Sequence, residues 1–562
     1  MSSDEAEKAT DEQSQDEPKA EEAKPEAANA TPEEAKPKAA KPVETKSEEP
    51  IGQDEPSIFP LKSPRDGSKL DSIRATSPSD VPTLARKARD AQRAWGERPA
   101  NERAEIIANV KERILSRAEE IANLVHRECG KPIEEAALSE VLPNADLIEY
   151  WTANIEELLE GTTVEFDPIA YPGKLGRIHK APRGVVGLIT PWNYPVAIPL
   201  RTLVPALLAG NAVLFKPSEI TPRSGALVAS LFEGLLPENL LTVVQGGGDV
   251  GGAIIEEVDV VVFTGSVATG RRVAVRCAER LIPCSLELGG KDAAIVLADA
   301  PLERTANGLV WGAFTNAGQN CASIERVYVE RAIADKLIPR LVEITKSLKP
   351  ETDTAVLTTQ RECDVVRRHL KQAQEDGAEL LTGGAPEEGS LAFQPTVVKL
   401  EREDTPLMRE ETFGPILPIV VVDNVNDAIA KVNSSSFGLT TSLWTRRIDY
   451  GHDLARALRT GVVTINNHGF TAAVPAAPWT GTGESGYGIT NSPFALAELT
   501  RPQFVLEDRS RAPRELWWYP YTPSLRTIAF AMARLRGGAG FFGRISALFQ
   551  LLAAFPKRLA GK

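Results

Sequence analysis

Four short apolar runs separated by helical segments restrict the fold of this 562-residue chain more than any other feature. The runs consist almost entirely of Val, Leu, Ile, Ala and Phe, and they lie at Val185–Ile189, Ala212–Phe215, Leu241–Val244 and Val260–Phe263. Parallel strands that helices cover on both faces need nearly continuous apolar runs of this kind. The sequence therefore predicts an α/β fold, with a doubly wound domain in the first half of the body.

A second α/β block is expected between about Gly289 and Thr471. Apolar runs mark its strands, and helical segments lie between them. The strand candidates are Ala293–Leu297, Val327–Val329, Pro418–Val422, Thr441–Trp444 and Gly461–Ile465.

The segments outside these blocks also show periodic patterns. Apolar spacing predicts three helical stretches before the first block, at about 81–95, 106–125 and 136–159. Gly130-Lys131-Pro132 is expected to end the second stretch. Thr163–Arg177 has turn residues at its centre and predicts a hairpin, and Arg501–Leu506 predicts a late strand.

Charge is distributed unevenly along the chain, whose net charge is −13. Residues 1–50 hold 15 acidic and 7 basic side chains with almost no large apolar residue, so we expect a disordered acidic tail over 1–55, with a docking or spacing arm as the alternative. Residues 524–562 hold 7 basic side chains and no acidic one. The body between them is acidic and repels polyphosphate, which argues against a nucleic-acid partner.

The cysteines and histidines show no metal-binding pattern. The 5 cysteines are scattered without CxxC spacing, which argues against a disulfide framework or a zinc site and indicates a reducing compartment. The 5 histidines also lack metal-ligand spacing, so we expect no metal. No apolar run follows Met1, and no run reaches about 18 residues, so neither a standard signal peptide nor a membrane span is expected.

Cys321 and Glu287 are candidates for covalent and acid–base chemistry. Small residues around Cys321, in Phe314–Cys321, leave room for a substrate at sulfur, although an isolated cysteine is more often a small core residue. Glu287 stands beside Gly289-Gly290, where backbone can approach a ligand and the carboxylate can act as a base. A solvated surface carboxylate is the alternative for Glu287.

Two further segments follow predicted strands. In Thr190–Pro195, two prolines restrict the chain so that the Asn193 amide can point at a developing oxyanion, although an ordinary turn asparagine is the alternative. Phe263–Gly270 joins a strand to a helix as a dinucleotide-binding turn does. Each segment is a weak signal alone.

Together these segments resemble the aldehyde dehydrogenase superfamily across about residues 75–507. The resemblance implies Cys321 as nucleophile, Glu287 as the base that activates water, and Asn193 as oxyanion donor. It also implies a set of cofactor-binding residues: Trp192, Lys216, Glu219, Gly265, Ser266, Glu411 and Phe413. Without the resemblance, Lys216 and Glu219 are equally well explained as a surface ion pair, and Ser266 as a helix cap.

The resemblance further implies a Rossmann-like cofactor domain, a catalytic α/β domain and a small oligomerisation flap. We expect the NAD-binding domain at 75–158 and 181–288, the catalytic domain at 289–471, and the flap at 159–180 and 490–508, in a homodimer or homotetramer. A carboxylate at Glu219 accepts both ribose hydroxyls and repels a 2′-phosphate, so NAD is expected over NADP.

The implied reaction is oxidation of an aldehyde to the free acid through a thiohemiacetal and a thioester at Cys321. Val267 replaces the threonine of many relatives, and Ala477–Gly488 departs from their usual substrate-entrance segment. With the aromatic residues 517–521, this departure resembles the branch of diapolycopene-dialdehyde dehydrogenases, which implies an apolar, long-chain or polyene aldehyde. A semialdehyde or short-chain aldehyde dehydrogenase, or a catalytically silent scaffold, is the alternative.

The basic C-terminal segment 524–562 contains two helical patterns, at 524–535 and 541–555. Large apolar residues recur at three- and four-residue steps in the second, and all flanking charges are positive. This pattern predicts an interfacial helix on an anionic membrane surface, with docking on the body or at an oligomer interface as the alternative. We therefore expect a cytoplasmic enzyme with peripheral contact at the inner face of the membrane.

Overall fold

The computed structural model describes residues 58–168 and 171–560. The acidic tail predicted over 1–55 therefore lies outside the described residues. Helices in the described ranges are α1 (Val81–Glu97), α2 (Ala100–Ser116), α3 (Ala118–Cys129), α4 (Ile133–Ala136), α5 (Leu142–Leu159), α6 (Ala197–Leu208), α7 (Pro222–Ser230), α8 (Gly248–Glu257), α9 (Val267–Glu279), α10 (Leu302–Phe314), α11 (Arg331–Ser347), α12 (Gln360–Glu375), α13 (Pro406–Arg409), α14 (Val425–Asn433), α15 (Ile448–Ala455), α16 (Leu496–Leu499), α17 (Pro523–Ala533) and α18 (Phe541–Leu559).

The same described ranges contain 21 strands. They are β1 (Ile58–Lys62), β2 (Lys69–Arg74), β3 (Thr162–Val164), β4 (Lys174–Pro182), β5 (Val185–Ile189), β6 (Ala212–Lys216), β7 (Leu241–Val243), β8 (Val260–Thr264), β9 (Cys284–Glu287), β10 (Asp292–Val296), β11 (Ile324–Glu330), β12 (Glu379–Gly384), β13 (Gln394–Leu400), β14 (Ile416–Val422), β15 (Phe437–Gly438), β16 (Thr440–Trp444), β17 (Val462–Ile465), β18 (Trp479–Thr480), β19 (Thr482–Gly483), β20 (Ile489–Thr490) and β21 (Thr500–Asp508).

The first large sheet is parallel and has the order β7-β6-β5-β8-β9. Its strands share one apolar core with helices that include α1, α6, α8 and α9. The strand order reverses between β5 and β8, and ligands of open α/β sheets bind at such a switch point, outside the carboxyl ends of the strands. The four apolar runs therefore form the predicted parallel sheet, and β9 adds an edge strand that the sequence pattern did not reveal.

The second large sheet has the order β12-β13-β14-β11-β10-β16-β17, and all its pairs are parallel except β12 with β13. Helices cover both faces, since Ala293 and Ile295 of β10 belong to one apolar core and Ala294 and Val296 to another. The five predicted strands are present. The prediction omitted β12, which ends at a glycine pair, and β13, whose second residue is a proline.

The predicted helix at 106–125 is wrong in one respect, because two helices occupy this region. Arg117 leaves the helical conformation, with φ −106° and ψ 19°, and ends α2 immediately before α3 begins. Its side chain is held by Glu120 and by the Ser230 hydroxyl, which stabilises the break. Helix α3 then ends at Cys129, directly before the predicted stop at Gly130.

A three-stranded antiparallel sheet, β21-β4-β3, stands apart from the two large sheets. Thr162 pairs with Ile178 and Val164 with Gly176, which is the predicted hairpin. The late strand β21 pairs with β4 along its whole length. The assignment of this sheet as an oligomerisation flap, and the domain boundaries drawn from the resemblance, stay predictions.

Candidate active site

The carboxyl edge of the five-stranded sheet collects most of the predicted residues of the first half. Asn193 lies in the loop after β5, Lys216 ends β6, Ser266 follows β8, and Glu287 ends β9. Because the four strands are parallel, these side chains lie along one edge of the sheet. The strands thus bring the candidate cofactor residues and the candidate base to the same side of the molecule.

A cavity of about 1070 Å³ opens at this edge. Its lining includes five of the predicted cofactor residues, namely Trp192, Lys216, Glu219, Gly265 and Ser266. Lys216 is buried, its Nζ lies 3.5 Å from Glu219 Oε2, and it donates to the Pro217 carbonyl at 3.0 Å. Burial lowers the pKa of Lys216, while Glu219 opposes that shift. The pair therefore lines a cavity instead of forming a simple surface ion pair.

Ser266 is the N-cap of α9, and its hydroxyl accepts from the Thr269 N–H at 3.4 Å. The free N–H groups of a helix N-terminus and the helix dipole favour an anion at this position. The helix start opens into the same cavity, which Gly265 and Thr269 also line. A capping role for Ser266 and a phosphate-binding role are compatible in this geometry.

The amino edge of the seven-stranded sheet supplies the other predicted residues. Gly290 precedes β10, Cys321 precedes β11, and Glu411 and Phe413 precede β14. The chain passes from Glu287 at the end of β9 to the start of β10 through only four residues, 288–291. The carboxyl edge of one sheet therefore meets the amino edge of the other, and the site forms where they meet.

The glycine pair Gly289-Gly290 allows this close approach. A Cβ at Gly289 would collide with the Glu411 carboxylate, and one at Gly290 with the Cys321 carbonyl. The Gly290 N–H donates to Glu411 Oε1 at 3.1 Å. Glycine at both positions lets the two sheets contribute to one small site.

The loop before Cys321 has an uncommon backbone conformation. Asn316 and Ala317 have φ values of 51° and 53°, in the left-handed region that residues with a Cβ rarely adopt. The Asn316 amide donates to the carbonyls of Asn193 and Gln319, at 3.1 and 3.0 Å. The Asn193 amide also donates to the Gln319 carbonyl, at 3.1 Å. These bonds tie the Asn193 loop to the Cys321 loop, and tertiary contacts of this kind stabilise strained backbone.

Cys321 is half-buried at the end of this loop. Burial raises the pKa of its thiol, and the neighbouring carboxylates, Glu287 first among them, raise it further. Its Sγ lies 3.8 Å from Asn320 Oδ1. The thiol is thus neutral in this state, and reaction requires that its proton pass to a base when substrate binds.

Glu287 is buried, and burial raises its pKa to about 7. Thr490, beside the carboxylate, and the Arg201 guanidinium oppose this shift. Its Oε1 makes no hydrogen bond to any of the described residues. A carboxylate with a pKa near neutrality and a free oxygen is suited to accept a proton from water or thiol.

Glu411 and Phe413 lie across the site from Trp192. The Trp192 and Phe413 rings meet edge to face with their centroids 5.6 Å apart. Burial raises the pKa of Glu411 to about 8, and Glu325 raises it as well. Glu325 also accepts the N–H groups of Thr412 and Phe413, both at 2.8 Å, and pairs with the buried Lys291.

Three residues that shape the site were missed in the sequence. Gln319 supplies the carbonyl that ties the loops, and Glu325 holds residues 412–413. Arg201 on α6 lies near enough to lower the pKa of both Glu287 and Cys321, and its guanidinium makes no hydrogen bond to the described residues. The available signal for Arg201 was a single charge, eight residues after Asn193, in a helix that is apolar apart from Thr202.

Within the described ranges, no group of three His, Cys, Asp or Glu side chains is arranged to hold a metal ion. His468 is buried with a pKa lowered to about 4 by burial, and its Nε2 contacts the Ala322 carbonyl at 2.6 Å. This histidine supports the loop after Cys321.

Comparison with known proteins identifies the family. The model of the aldehyde dehydrogenase family matches residues 51–505. The 4,4′-diapolycopene aldehyde oxidase of a Methylomonas species is 36% identical over 468 residues, which cover 82% of this chain and 88% of the relative. A putative succinate-semialdehyde dehydrogenase [NADP(+)] of Mycobacterium ulcerans is 36% identical over 482 residues, covering 82% of this chain and 92% of that protein.

Solved structures of aldehyde dehydrogenases also superpose on this chain. A putative aldehyde dehydrogenase from Burkholderia cenocepacia superposes with a TM-score of 0.78 at 32% identity, covering 82% of this chain and 96% of that structure. The NAD+ complex of an aldehyde dehydrogenase from Bacillus cereus superposes with a TM-score of 0.77 at 30% identity, covering 81% and 94%. The predicted fold is thus confirmed, and the chain belongs to the aldehyde dehydrogenase family and is an NAD(P)-dependent aldehyde dehydrogenase.

Proposed function

We propose that this enzyme oxidises an apolar, long-chain or polyene aldehyde to the carboxylic acid with NAD, through a covalent intermediate on Cys321. The observation that carries the proposal is the meeting of Asn193, Cys321 and Glu287 at the junction of two sheet edges. A scaffold without catalytic activity has no need for an uncommon loop conformation before a cysteine, or for a buried carboxylate with a pKa of about 7.

The cavity fits a dinucleotide. The cavity has a volume of about 1070 Å³ and lies at the switch point of the sheet. Lys216 and Glu219 line it, and the N-terminus of α9 lies beside Ser266. In this assignment Lys216 and Glu219 hold the adenosine ribose, Ser266 holds the pyrophosphate, and Glu411 and Phe413 hold the nicotinamide ribose, with Trp192 beside Phe413. When bound, the dinucleotide accepts the hydride that the aldehyde carbon loses.

Cys321 begins the reaction. Its thiol loses a proton to solvent water, and the sulfur attacks the aldehyde carbon to form a thiohemiacetal oxyanion. The Asn193 side-chain amide and the Cys321 backbone N–H stabilise that oxyanion. The Asn193 amide is held next to the Cys321 loop by its bond to the Gln319 carbonyl, so the donor is positioned before substrate binds.

Glu287 completes the reaction. After loss of hydride the acyl group remains on sulfur as a thioester, and the Glu287 carboxylate removes a proton from the water that attacks it. The thioester C–S bond breaks, the acid leaves, and the proton that Glu287 took from water passes to the sulfur, which restores the thiol and the carboxylate. A base in this position favours hydrolysis, so the product is the free acid.

The preference for NAD rests on Glu219. A carboxylate accepts hydrogen bonds from ribose hydroxyls and repels a 2′-phosphate. Four arginines line the same cavity and attract phosphate, so Glu219 is the group that has to discriminate between NAD and NADP; they are Arg271, Arg272, Arg276 and Arg361.

The apolar substrate is supported by the surroundings of Trp479. This side chain is only 2% exposed and packs with Ala322, Leu439 and Val462 in a small apolar cluster that contacts Cys321. The similarity to a relative named for diapolycopene aldehyde oxidation agrees with such a substrate. An apolar wall beside the nucleophile accommodates a hydrocarbon chain without burying an unpaired polar group.

A second candidate is a semialdehyde, which the Arg201 guanidinium favours. This cation lies close to Cys321 and Glu287 and makes no hydrogen bond to the described residues, so it can pair with a substrate carboxylate. Relatives named as putative succinate-semialdehyde dehydrogenases agree with this candidate.

Formation of NADH with a panel of aldehydes distinguishes these candidates. The proposal predicts that kcat/KM rises with alkyl chain length and changes little in Arg201→Gln. Highest activity with succinate semialdehyde, lost in Arg201→Gln, would establish the second candidate instead. Absence of NADH with every aldehyde would contradict both.

We also infer that the enzyme is a cytoplasmic homodimer or homotetramer. The exposed side chains Phe504, Val505 and Leu506 of β21 support an interface on the three-stranded sheet. Sedimentation of the whole protein at several concentrations tests the assembly, and a monomer throughout would contradict it.

A further inference from the structure

The C-terminal hairpin, formed by α17 and α18, lies beyond the region that the family model matches, which ends at residue 505. The helices pack against each other through small and medium-sized side chains, including Ile528, Ala531, Ala547 and Ala554, all of them buried. The hairpin thus lies outside the matched region, and its inner face is covered by the contact between the two helices. Its outer face needs a separate explanation.

The outer face of α18 is apolar. On a helical projection with about 100° per residue, the buried residues Ala547, Ala554 and Arg558 lie on one side. The opposite side carries large exposed side chains: Phe541, Phe542, Ile545, Leu548, Phe549, Leu552, Phe555 and Leu559. Phe542 is 84% exposed and Phe549 is 68% exposed. Monomeric soluble proteins rarely expose so many contiguous large apolar side chains without a binding function.

An aromatic segment, Trp517–Tyr521, is fastened to the end of this helix. The buried Arg558 guanidinium donates to the carbonyls of Leu516 at 2.9 Å, Pro520 at 2.7 Å and Trp518. The same segment lies against the loop between β3 and β4, since the centroids of the Tyr171 and Trp517 rings are 6.3 Å apart. Trp518, Tyr519 and Tyr521 remain exposed. Tryptophan and tyrosine with an apolar ring and a polar edge are the side chains enriched at membrane–water interfaces.

The charges around the apolar face are all of one sign. Residues 524–562 contain 7 basic side chains and no acidic one. Arg526, Arg534, Arg536, Arg544 and Lys557 are exposed. A positive surface around an apolar face is complementary to an anionic lipid headgroup layer.

From this arrangement we propose that the C-terminal hairpin docks the enzyme on an anionic lipid bilayer, with the apolar face of α18 buried in the interface and the surrounding basic side chains among the headgroups. The same face of a second protomer would bind poorly to it, because two faces bordered only by positive charges repel each other. In the part of the chain that the structure describes, no helix is long and apolar enough to cross a membrane. The stripe of exposed apolar side chains along one side of α18 suits a helix that lies in the plane of the surface.

Flotation of the full-length protein with vesicles tests this docking. We expect binding to vesicles of phosphatidylcholine with about 30% phosphatidylglycerol and little binding to phosphatidylcholine alone. Raising the salt from about 0.1 M to 0.5 M should weaken binding roughly tenfold, since screening reduces the contribution of the basic side chains. Equal binding to both vesicle types, or none to either, would overturn the proposal.

Two matched variants test whether vesicle binding depends on the apolar face of α18 or on any exposed apolar side chain. The triple variant Phe542→Ser, Phe549→Ser and Leu552→Ser removes three exposed side chains and should reduce vesicle binding at least about tenfold. Leu281→Ser removes a side chain that is 92% exposed elsewhere on the body, and should bind vesicles as the parent does. If the triple variant instead keeps its vesicle binding, or its main change is a smaller oligomer in light scattering, the face is not a lipid-binding surface.

Discussion

The two sheet edges that form the site differ in how they position their residues. On the carboxyl edge of the five-stranded sheet, Asn193, Lys216, Ser266 and Glu287 follow or end regular parallel strands. On the amino edge of the seven-stranded sheet, Cys321 and Phe413 stand in loops, and the left-handed residues Asn316, Ala317 and Phe413 set the direction of those loops. One edge uses the common geometry of α/β proteins, and the other uses loops in uncommon conformations held by specific hydrogen bonds.

This difference assigns separate tasks to the two edges. The carboxyl edge offers helix N-termini and a cavity, which suit a dinucleotide. The amino edge carries Cys321, the proposed nucleophile, on a loop that Asn193 and Gln319 hold in place. In the proposed mechanism, catalysis depends on the contacts that join the edges, so variants on each side should fail in different ways.

The largest effect is expected for Cys321→Ala. Removing the nucleophile should lower the rate of NADH formation by at least about 10⁴-fold while the dinucleotide still binds, because the cavity lies on the other edge. Turnover assays and fluorescence titration with NADH measure the two properties. Cys363→Ala, at a buried position of α12, is the matched control and should keep its activity. Residual activity above one tenth in Cys321→Ala would contradict the assignment.

Glu287→Gln should reduce steady-state turnover by about 10³-fold. The pKa of Glu287 is about 7, so the parent loses activity as pH falls through 7 and the carboxylate becomes protonated. Steady-state rates between pH 5.5 and 9 measure this dependence, which the variant should lack. Glu303→Gln, an exposed carboxylate on α10, should retain the parent profile. Normal turnover in Glu287→Gln would contradict the assignment of Glu287 as the base.

Asn193→Ala tests the link between the edges. Loss of one oxyanion donor typically costs about 10²–10³-fold, and we expect about 10²-fold in kcat. The side chain also ties the two loops, so a loss of thermal stability is expected as well. Asn307→Ala, whose amide is exposed on α10, is the control for a surface asparagine. Unchanged kcat in Asn193→Ala would show that the Asn193 amide does not stabilise the oxyanion.

The smallest effect concerns cofactor choice. Glu219→Gln removes the carboxylate that repels a 2′-phosphate, so the ratio of kcat/KM for NAD to that for NADP should fall about tenfold. Measuring both cofactors on the same preparation provides the internal control. A parent enzyme that already prefers NADP would contradict the proposed preference.

The sequence predicts the carboxyl edge far better than the amino edge. Regular apolar strands reveal where Asn193 and Ser266 lie, because a strand followed by a turn has a known direction. Nothing in the local sequence reveals that Asn316 and Ala317 adopt left-handed conformations, since the tertiary hydrogen bonds to Gln319 and Asn193 stabilise them. Arg201 was missed because α6 brings it to the site only after the chain has folded, and β9 because its polar Ser285 and Glu287 break the apolar pattern.

The proposed mechanism requires that Cys321 forms a thioester, which is then hydrolysed by water that Glu287 deprotonates. Peptide mass spectrometry of Glu287→Gln after mixing with NAD and an aldehyde tests this claim directly. We expect one equivalent of NADH per site and an acyl mass on the peptide that contains Cys321. Continued turnover with an unmodified Cys321, or an acyl group on another cysteine, would contradict it.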